Sequence, residues 1–504
     1  MFAGNRTGRS KTKTNGRQAP PVMEDATMNA SGVMDLKTTR VRYGIVAMLF
    51  LVTAINYADR ATISIAGTSL SKDLGLDAVT MGFIFSAFGW SYVIGQLPGG
   101  WLLDRFGSKP VYAASIFIWS VFTLLQGAVS YLSVASAIGM LFTLRFLVGL
   151  SEAPSFPANG RIVAAWFPAA ERGTASAVFN SAQYFATVLF APIMGWITHA
   201  FGWPYVFYFM GAVGIVVSVL WLKVIHSPRE HPGISKAEFD YIEQGGALVD
   251  MDRPKKDKRV TEAELELDYV EQADVEPGVV KSADILASTG PAANAAPKLG
   301  YMKQLLSNRM LLGVYIGQYC ITTITYFFLT WFPVYLVKER GMSILNAGFI
   351  AALPAICGFI GGVLGGLISD YLIRKGHSLT FARKTPIVVG MLMSTTMIAC
   401  NYVSSSTLVV AIMAFAFFGK GLGALGWAVV ADTSPKEIAG LSGGMFNTFG
   451  NVAAITTPIV IGYIVKATGN FSGALVFVAC NALVAIVSYL VIVGEIKRVQ
   501  LRNA

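Results

Sequence analysis

The chain has 504 residues, of which 54% are hydrophobic and only 13% are charged, and its formal net charge is +10. An ordinary soluble domain has roughly 25% charged residues, so this composition excludes a typical soluble enzyme and indicates a membrane protein. The positive charge alone would suit a nucleic-acid binder, but its distribution along the chain indicates lipid headgroups as the counter-charge.

The first 42 residues are polar and basic, and they contain no apolar core. A cleavable signal peptide requires such a core, so we do not expect this segment to be one. We expect instead a disordered cytoplasmic tail, because this composition cannot bury enough apolar surface to fold.

Long apolar segments follow, each with room for the ~20 residues that one helical membrane crossing needs. In the first half they cover residues 43–70, 82–103, 110–130, 136–160, 173–198 and 203–225. In the second half they cover residues 309–337, 346–371, 385–403, 407–431, 440–465 and 471–495. The sequence therefore predicts an all-α integral membrane protein with twelve transmembrane helices, arranged as two six-helix bundles at 43–226 and 309–496.

The segment between the bundles, residues 227–308, is polar and contains a charge run at 255–259. We expect a mobile cytoplasmic linker here, within which the pattern of residues 262–272 suits an acidic amphipathic helix. Residues 497–504 would form a short cytoplasmic C-terminal tail.

Lysine and arginine are distributed unevenly between the two sides of the membrane. If the residues before the first span are cytoplasmic, 32 of the 39 lie in cytoplasmic tails and loops and three lie within spans. Only Lys72, Lys338, Arg340 and Lys466 remain for the outer side. This positive-inside asymmetry predicts that both termini are cytoplasmic.

The two halves of the chain repeat each other. A Gly-Gly pair followed by Asp104 recurs 266 residues later with Asp370, and Pro168 and four further positions recur at a shift of 267, beginning with Pro435. Eight matches at nearly one offset indicate two parallel six-helix repeats. Such repeats are typical of transporters in which two bundles rock about a site near the middle of the membrane.

Four charged residues interrupt the apolar stretches of the first half. Asp59 and Arg60 are adjacent in the first span, and Arg145 and Glu152 lie seven residues apart in the fourth. Seven residues are two helical turns, so Arg145 and Glu152 share a face at a rise of about 10 Å. Charged residues at such depth usually face a polar cavity and have a function there.

These four residues suggest a division of roles. We predict that Arg60 and Arg145 bind an anionic substrate, because a guanidinium can hold a carboxylate through two parallel hydrogen bonds. We predict that Asp59 and Glu152 carry protons, because an anion that neutralises a neighbouring arginine makes protonation of the carboxylate more favourable. The alternative is a static buried salt bridge that holds two helices together.

Lys420 adds a third cation within a span, and it lies in the other half of the chain. About eleven residues separate it from the cytoplasmic end of the tenth span near Ala431, a depth that makes the alternative, snorkelling to the interface, awkward. A cation across the cavity from the two arginines suits a substrate with a carboxylate at each end. We therefore include Lys420 in the predicted substrate site.

Charged motifs also close the second span of each half. Asp104 and Arg105 end the first motif, Asp370 and Arg374 end the second, and each aspartate lies four residues after a glycine. This duplicated motif resembles the signature loop of the major facilitator superfamily. The resemblance implies that Asp104, Arg105, Asp370 and Arg374 gate the cytoplasmic entrance, whereas the alternative is a plain positive-inside loop.

Longer motifs narrow the resemblance, and it extends over all twelve spans. Three motifs resemble those of the anion:cation symporter branch of that superfamily. They are Asn56-Tyr-Ala-Asp-Arg60, Arg145-Phe-Leu-Val-Gly-Leu-Ser-Glu152 and Trp166-Phe-Pro-Ala-Ala-Glu-Arg-Gly173. The stretch from Phe418 to Trp427, with Lys420 inside it, is similar to the glucarate/galactarate transporters of that branch. The resemblance implies coupling and recognition roles for the charged residues above.

Further residues complete the predicted substrate site, and these are Tyr57, Tyr92, Gln183, Trp427 and Asn447. Hydroxyls and amides are needed to pair with a polyol chain, and Tyr57 and Tyr92 resemble residues near the site in the family. Helix packing is an equally good explanation for each of them taken alone.

Together these features predict a transporter and not an enzyme. We expect a proton-coupled symporter that imports a sugar-acid anion, an aldarate such as glucarate or galactarate, across a bacterial inner membrane by alternating access. Co-transported H⁺ is the expected partner ion, and no cofactor is expected, because the four cysteines and four histidines have no metal-ligand spacing. We expect a monomer surrounded by membrane lipid, with no nucleic-acid partner.

Several alternatives remain open. A symporter of the same branch could carry an aldonate, a hexuronate or another organic acid. A drug or organic-anion exporter of the same fold usually has paired glycines before the positions of Pro192 and Gly195, and they are missing here. A membrane-embedded enzyme would need a converged catalytic constellation, and a nutrient sensor would have little need of proton-carrying carboxylates.

Overall fold

The fold consists of two helical bundles joined by the central segment. The computed structural model describes residues 39–168, 171–250, 299–435 and 438–501, so the predicted tail before residue 39 and most of the predicted linker lie outside it. The helices of the first bundle are α1 (Val41–Asp73), α2 (Ala78–Phe106), α3 (Ser108–Ala128), α4 (Val134–Glu152), α5 (Ser155–Trp166), α6 (Arg172–Phe201) and α7 (Trp203–Val224).

The second bundle follows the central segment, whose described residues form two short α-helices, α8 (Lys236–Gln244) and α9 (Leu299–Ser307). Its helices are α10 (Arg309–Tyr326), α11 (Phe332–Lys338), α12 (Ile344–Arg374), α13 (Leu379–Ser394), α14 (Ser406–Leu422), α15 (Gly426–Thr433), α16 (Ala439–Thr468) and α17 (Ser472–Val487). Pairs of consecutive helices, α4 with α5, α10 with α11 and α14 with α15, each make one crossing.

Eleven helices in the described part of the chain are long and apolar enough to cross a membrane. The twelfth crossing, the third of the second half, changes from α13 into a 3₁₀ segment, Thr395–Tyr402. The hydroxyls of Thr395 and Thr396 donate to carbonyls three residues earlier, at 2.7 and 2.6 Å, which matches the tighter winding of a 3₁₀ helix. The prediction of an all-α membrane protein with two six-helix bundles is confirmed.

The bundles are packed tightly together at the end of the molecule where α1 terminates, which we call the outer end. Glycines allow this contact, since an added Cβ at Gly82 would lie 2.6 Å from the carbonyl oxygen of Pro458. Likewise, an added Cβ at Gly348 would lie 2.7 Å from the carbonyl oxygen of Ala191. Small residues at helix contacts in membranes let backbones approach in this way.

The opposite, inner end is open between the bundles. Asn180 on α6 and Trp427 on α15 are exposed there, and an added Cβ at Gly173 or Gly444 would meet no atom within 4 Å. The structure is therefore closed at the outer end and open at the end where α1 begins.

The described first part of the central segment, residues 227–250, packs against the first bundle. Glu238 on α8 is fully buried and accepts hydrogen bonds from the Thr39 hydroxyl at 2.7 Å and the Val41 amide at 2.9 Å. It also forms an ion pair with Arg42, and Ile242 on the same helix is fully buried. The prediction of a mobile linker is wrong for residues 227–250, because one buried carboxylate and a few apolar side chains anchor them to the start of α1.

Candidate substrate and proton sites

A cavity lies between the two bundles. Helices of both bundles form its walls, and most of its lining side chains are aromatic or aliphatic. The polar residues of the lining are Tyr57, Gln183, Tyr184, Thr187, Thr325 and Lys420. Largely apolar walls with a few placed polar groups are typical of binding sites for small molecules.

Lys420 provides a positive charge in this cavity. It is 5% exposed, and its Nζ atom lies 5.6 Å from the ring centroid of Tyr184 and 5.1 Å from that of Phe417. It has no hydrogen bond or ion pair to a residue that the structure describes. Since a buried charge is costly unless it is paired, this ammonium group is suited to bind an anion.

The glycine-rich run around Lys420 explains its position. Helix α14 ends at Leu422, and a short turn through Gly423 leads to α15, so the crossing is broken next to the lysine. The C-terminal end of a helix carries partial negative charge and favours a cation there. Lys420 therefore lines the cavity between the bundles and does not snorkel to the membrane surface.

Arg60 lies behind Tyr57, which lines the cavity. Its Cζ atom is 4.7 Å from the ring centroid of Tyr57, 4.6 Å from that of Phe88 and 4.9 Å from that of Tyr92. The positive charge thus contacts three aromatic rings, an arrangement that is favourable when water is excluded. Tyr92 belongs to this aromatic cage and not to the lining of the cavity.

Arg60 is also ion-paired with Glu152. The Nε atom of Arg60 donates to Oε1 of Glu152 at 2.6 Å, and its Nη2 atom contacts the same oxygen. Both residues are buried, at 5% and 0% exposure. Glu152 is the last residue of α4, and Gly149 one turn earlier allows α4 to approach α2 closely, because an added Cβ there would lie 2.5 Å from the carbonyl oxygen of Phe88.

Arg145 is close to the pair but has other partners. Its Nη1 atom donates to the carbonyl oxygen of Asp59 at 3.2 Å, and its Nη2 atom donates to that of Arg60 at 2.8 Å. Arg145 is 3% exposed and does not line the cavity. In this conformation it fixes α4 to the backbone of α1.

Asp59 has no ion pair within the described part of the chain. It is fully buried, and neither carboxylate oxygen accepts a hydrogen bond of good geometry from a described residue. Glu152 and Arg145 interact with it electrostatically, and the indole of Trp119 lies within hydrogen-bonding reach. A buried carboxylate without an ion pair is costly unless a proton neutralises it, so the surroundings of Asp59 suit a proton-binding group.

The remaining predicted substrate residues are divided between the cavity and the inner end. Gln183 lines the cavity, whereas Trp427 and Asn447 do not. Trp427 is 57% exposed and packs on Phe446, with ring centroids 5.0 Å apart. Both residues lie nearer the inner ends of their membrane crossings, where the bundles are apart, and their roles in substrate binding remain predictions.

The predicted gating residues contact their own bundles. Asp104 is ion-paired with Arg161, and the Cζ atom of Arg105 lies 5.4 Å from the ring centroid of Trp101. Asp370 is 3.6 Å from Arg383, and Arg374 donates to the carbonyl oxygen of Asp370. Among the described residues these contacts do not join the two bundles, as expected at an open end. Their gating role remains a prediction.

Sequence reasoning missed three polar residues of the cavity. Thr187 lies one turn after Gln183 on α6, so a search along that helix face would have found it. Tyr184 is adjacent to Gln183, and Thr325 comes from α10 in the other bundle. The sequence contains no signal that brings Tyr184 to Lys420, because that contact joins helices from different halves.

Comparison with known proteins agrees with this architecture. The family profile described as Major Facilitator Superfamily matches residues 49–381. The chain belongs to the major facilitator superfamily. It is 65% identical over 467 residues to a probable galactarate/D-glucarate transporter of Bacillus subtilis, a match that covers 93% of this chain and 95% of that protein.

Other relatives are also named as sugar-acid transporters, and a solved transporter structure has the same fold. The chain is 61% identical to a probable galactarate/D-glucarate transporter of Escherichia coli, covering 92% of this chain and 96% of that protein. It is 39% identical to a D-galactonate transporter of Escherichia coli, and this match covers 92% of this chain and 98% of that protein. A crystal structure of a D-xylose-proton symporter matches in fold, with a TM-score of 0.66 at 15% identity, covering 91% of this chain and 99% of that chain.

Family membership confirms two predictions made above. The protein is a multi-pass membrane transporter and not an enzyme. Its similarity to the glucarate/galactarate transporters, predicted from the motif around Lys420, is also confirmed.

Proposed function

We propose that this protein is a proton-coupled symporter that imports an aldarate dianion, glucarate or galactarate, across the bacterial inner membrane. The observation that carries this proposal is Lys420, a buried cation in a cavity between the bundles that has no hydrogen bond or ion pair to any residue of the described ranges. The high identity to probable galactarate/D-glucarate transporters supports the choice of substrate.

In the proposed binding mode, Lys420 holds one carboxylate of the substrate. Gln183, Tyr57 and the hydroxyls of the lining pair with the polyol chain. The second carboxylate reaches Arg60 when the ring of Tyr57 moves aside, since that ring lies between the guanidinium and the cavity. Arg145 is close enough to Arg60 to take part once its contacts to the α1 backbone are released.

Proton coupling follows from competition for Arg60. A substrate carboxylate that pairs with Arg60 takes the place of Glu152, and a buried carboxylate without a cation is costly unless it binds a proton. Glu152 then takes up one proton and Asp59 carries a second. The transporter therefore binds the substrate and the protons together.

Alternating access completes the cycle. The conformation described here would release substrate and protons into the cytoplasm, with both termini on that side as the positive-inside distribution predicts. Closure of the inner end would bring Asp104 and Arg105 of one half, and Asp370 and Arg374 of the other, into a gate. No bound cofactor takes part in this scheme.

The energetics give a test. Moving one elementary charge across 100 mV is worth about 2.3 kcal/mol, so a dianion entering a negative-inside cell alone is opposed by roughly twice that. Two accompanying protons make the cycle electroneutral. In proteoliposomes, we expect uptake to follow the pH gradient and to respond little to a potassium-diffusion potential, whereas uptake driven strongly by the potential would contradict two-proton coupling.

Counterflow distinguishes the substrate class. Proteoliposomes loaded with unlabelled glucarate should accumulate labelled glucarate, and external galactarate should compete with it. Gluconate, galactonate, glucuronate and an aromatic acid serve as competitors of the same size range. Stronger competition by a monocarboxylate than by either aldarate would favour the aldonate or hexuronate alternative over this proposal.

A further inference from the structure

The interior of the first bundle contains a file of buried polar side chains that the substrate cavity does not include. Buried polar groups in proteins are nearly always hydrogen-bonded. In this bundle, polar atoms of several buried residues make no hydrogen bond of good geometry to a described residue, and these residues are Asn56, Asp59, Tyr112, Trp119, Thr123, Gln126 and Asn159. In the second bundle, the described residues with such atoms are Tyr315, Thr457 and Tyr489.

Four residues of this file lie on α3 and extend across most of the membrane thickness. Tyr112, Trp119, Thr123 and Gln126 recur at spacings of seven, four and three residues, so they share one face of the helix. The fourteen helical rises from Tyr112 to Gln126 span about 21 Å, against about 30 Å for the hydrocarbon core. Tyr131, five residues beyond Gln126, is 82% exposed at the outer end.

The file passes both predicted proton carriers. The indole of Trp119 lies within hydrogen-bonding reach of the Asp59 carboxylate, and Asp59 interacts electrostatically with Glu152. On the inner side, the Tyr112 hydroxyl lies within hydrogen-bonding reach of Ser155 and Asn159 and interacts electrostatically with Glu152. Asn159 also donates to the Thr53 hydroxyl at 3.1 Å, nearer the inner end of α1.

We propose that this file is a hydrated proton route through the first bundle, separate from the substrate cavity. A buried water typically makes about three hydrogen bonds to polar groups that lack protein partners, and the file supplies such groups at each level. Protons would enter past Gln126 and Thr123, reach Asp59 and then Glu152, and leave past Tyr112 and Asn159. Each transfer moves one proton between neighbouring oxygen atoms and requires no other reactant.

In this proposal the proton route is separate from the substrate cavity. The proposal rests on the proposed proton-coupled function. None of Tyr112, Trp119, Thr123, Gln126 or Asn159 lines the cavity between the bundles. Protons and substrate would therefore reach the Arg60–Glu152 pair from different directions. Removing a polar atom of the file should slow proton movement without altering substrate binding.

The test compares two transport assays on purified variants. Thr123→Val and Tyr112→Phe remove one hydroxyl each with little change of shape, at the outer and inner parts of the file. Thr457→Val and Tyr315→Phe are matched controls, because they remove buried hydroxyls of the second bundle. Uptake driven by a pH gradient requires net proton movement, whereas counterflow of glucarate at equal pH does not.

We expect gradient-driven uptake to fall about tenfold in Thr123→Val and Tyr112→Phe, equivalent to about 1.4 kcal/mol in activation free energy. Counterflow should remain at the wild-type rate, and the remaining uptake should show a larger slowing in D₂O than the wild type does. Equal losses in both assays, unchanged uptake, or the same loss in the control variants would overturn the route. Absence of aldarate counterflow in the wild type would instead contradict the proposed function.

Discussion

Arg60 and Glu152 form a buried ion pair between α1 and α4, with the ring of Tyr57 packed between the guanidinium and the central cavity. One residue away, the carboxylate of Asp59 has no hydrogen-bond partner within the described part of the chain. Two acidic residues with the same predicted task thus have opposite surroundings. Because their surroundings differ, substitutions at Asp59 and Glu152 can distinguish a proton-carrying role from a purely structural one.

The variants Glu152→Gln and Asp59→Asn should differ in their stability but have the same effect on transport. Glu152→Gln leaves the buried guanidinium of Arg60 without its counter-charge, and breaking such a pair costs about 3–5 kcal/mol. Asp59→Asn removes a buried charge that has no ion pair in the described part of the chain, so the protein should be equally stable or more stable. Thermal unfolding in detergent, followed by intrinsic tryptophan fluorescence, should show a lower midpoint for Glu152→Gln only.

The same two variants should both lose uptake driven by a pH gradient and retain counterflow. A static salt bridge predicts a different pattern, in which Glu152→Gln loses both activities and Asp59→Asn loses neither. The two assays on the two variants therefore decide between the coupling role and the structural alternative.

Lys420 should set the preference for dicarboxylates. Replacing it by asparagine removes a charged hydrogen bond worth about 1.5–3 kcal/mol, so the KM for glucarate should rise roughly 10- to 100-fold. Transport of a monocarboxylate of similar size should change much less, and Lys497→Asn is the control at an exposed lysine of the same half. Equal losses for both substrates would contradict the model of one cation for each carboxylate.

The outer closure includes a salt bridge between the bundles, from Lys466 to Asp77 at 2.7 Å. The hydrogen bond from Lys466 and that from the Thr80 amide lower the pKa of Asp77, so the pair stabilises the closed outer end above the ordinary carboxyl pKa of about 3.9. This stabilisation is lost only as the pH falls through the lowered pKa. Asp77→Asn should therefore raise the outward-open population by a modest factor that is constant between pH 5 and 8.

Alkylation from outside measures this population. Val334 is 2% exposed and lies 3.5 Å from where a Cβ of Gly67 would be, so a Val334→Cys label in a cysteine-free background reacts only when the outer end opens. Asp77→Asn should increase its reaction rate with an impermeant maleimide. Tyr131→Cys, at an exposed outer position, should react at the same rate in both backgrounds.

The anchored part of the central segment should depend on Glu238. Glu238→Ala removes the buried acceptor of the Val41 amide and one of the two carboxylates that pair with Arg42. The expected loss is about 1–3 kcal/mol, because Glu171 still pairs with Arg42. Residues 227–250 should then be cut faster by a protease added to the inner side. Glu243→Ala on the same helix removes only an exposed ion pair to Arg229, so its cleavage rate should not change.

The sequence alone determined the architecture of this protein. The twelve apolar segments and the repeat between Asp104 and Asp370 predicted the two bundles, because one crossing needs a fixed length of apolar chain and a duplicated motif implies a duplicated fold. It also identified Asp59, Arg60, Arg145, Glu152 and Lys420, since charges are rare within membrane spans.

Only the tertiary structure decided how these charges are used. Helix periodicity gives the face of each residue, but partners such as Arg60 and Glu152, or Lys420 and Tyr184, come from helices far apart in the chain. The structure therefore placed Lys420 in the cavity, Arg60 behind Tyr57 and Arg145 on the backbone of α1. Which helices approach depends on packing around glycines such as Gly149 and Gly348, and local sequence does not specify that packing.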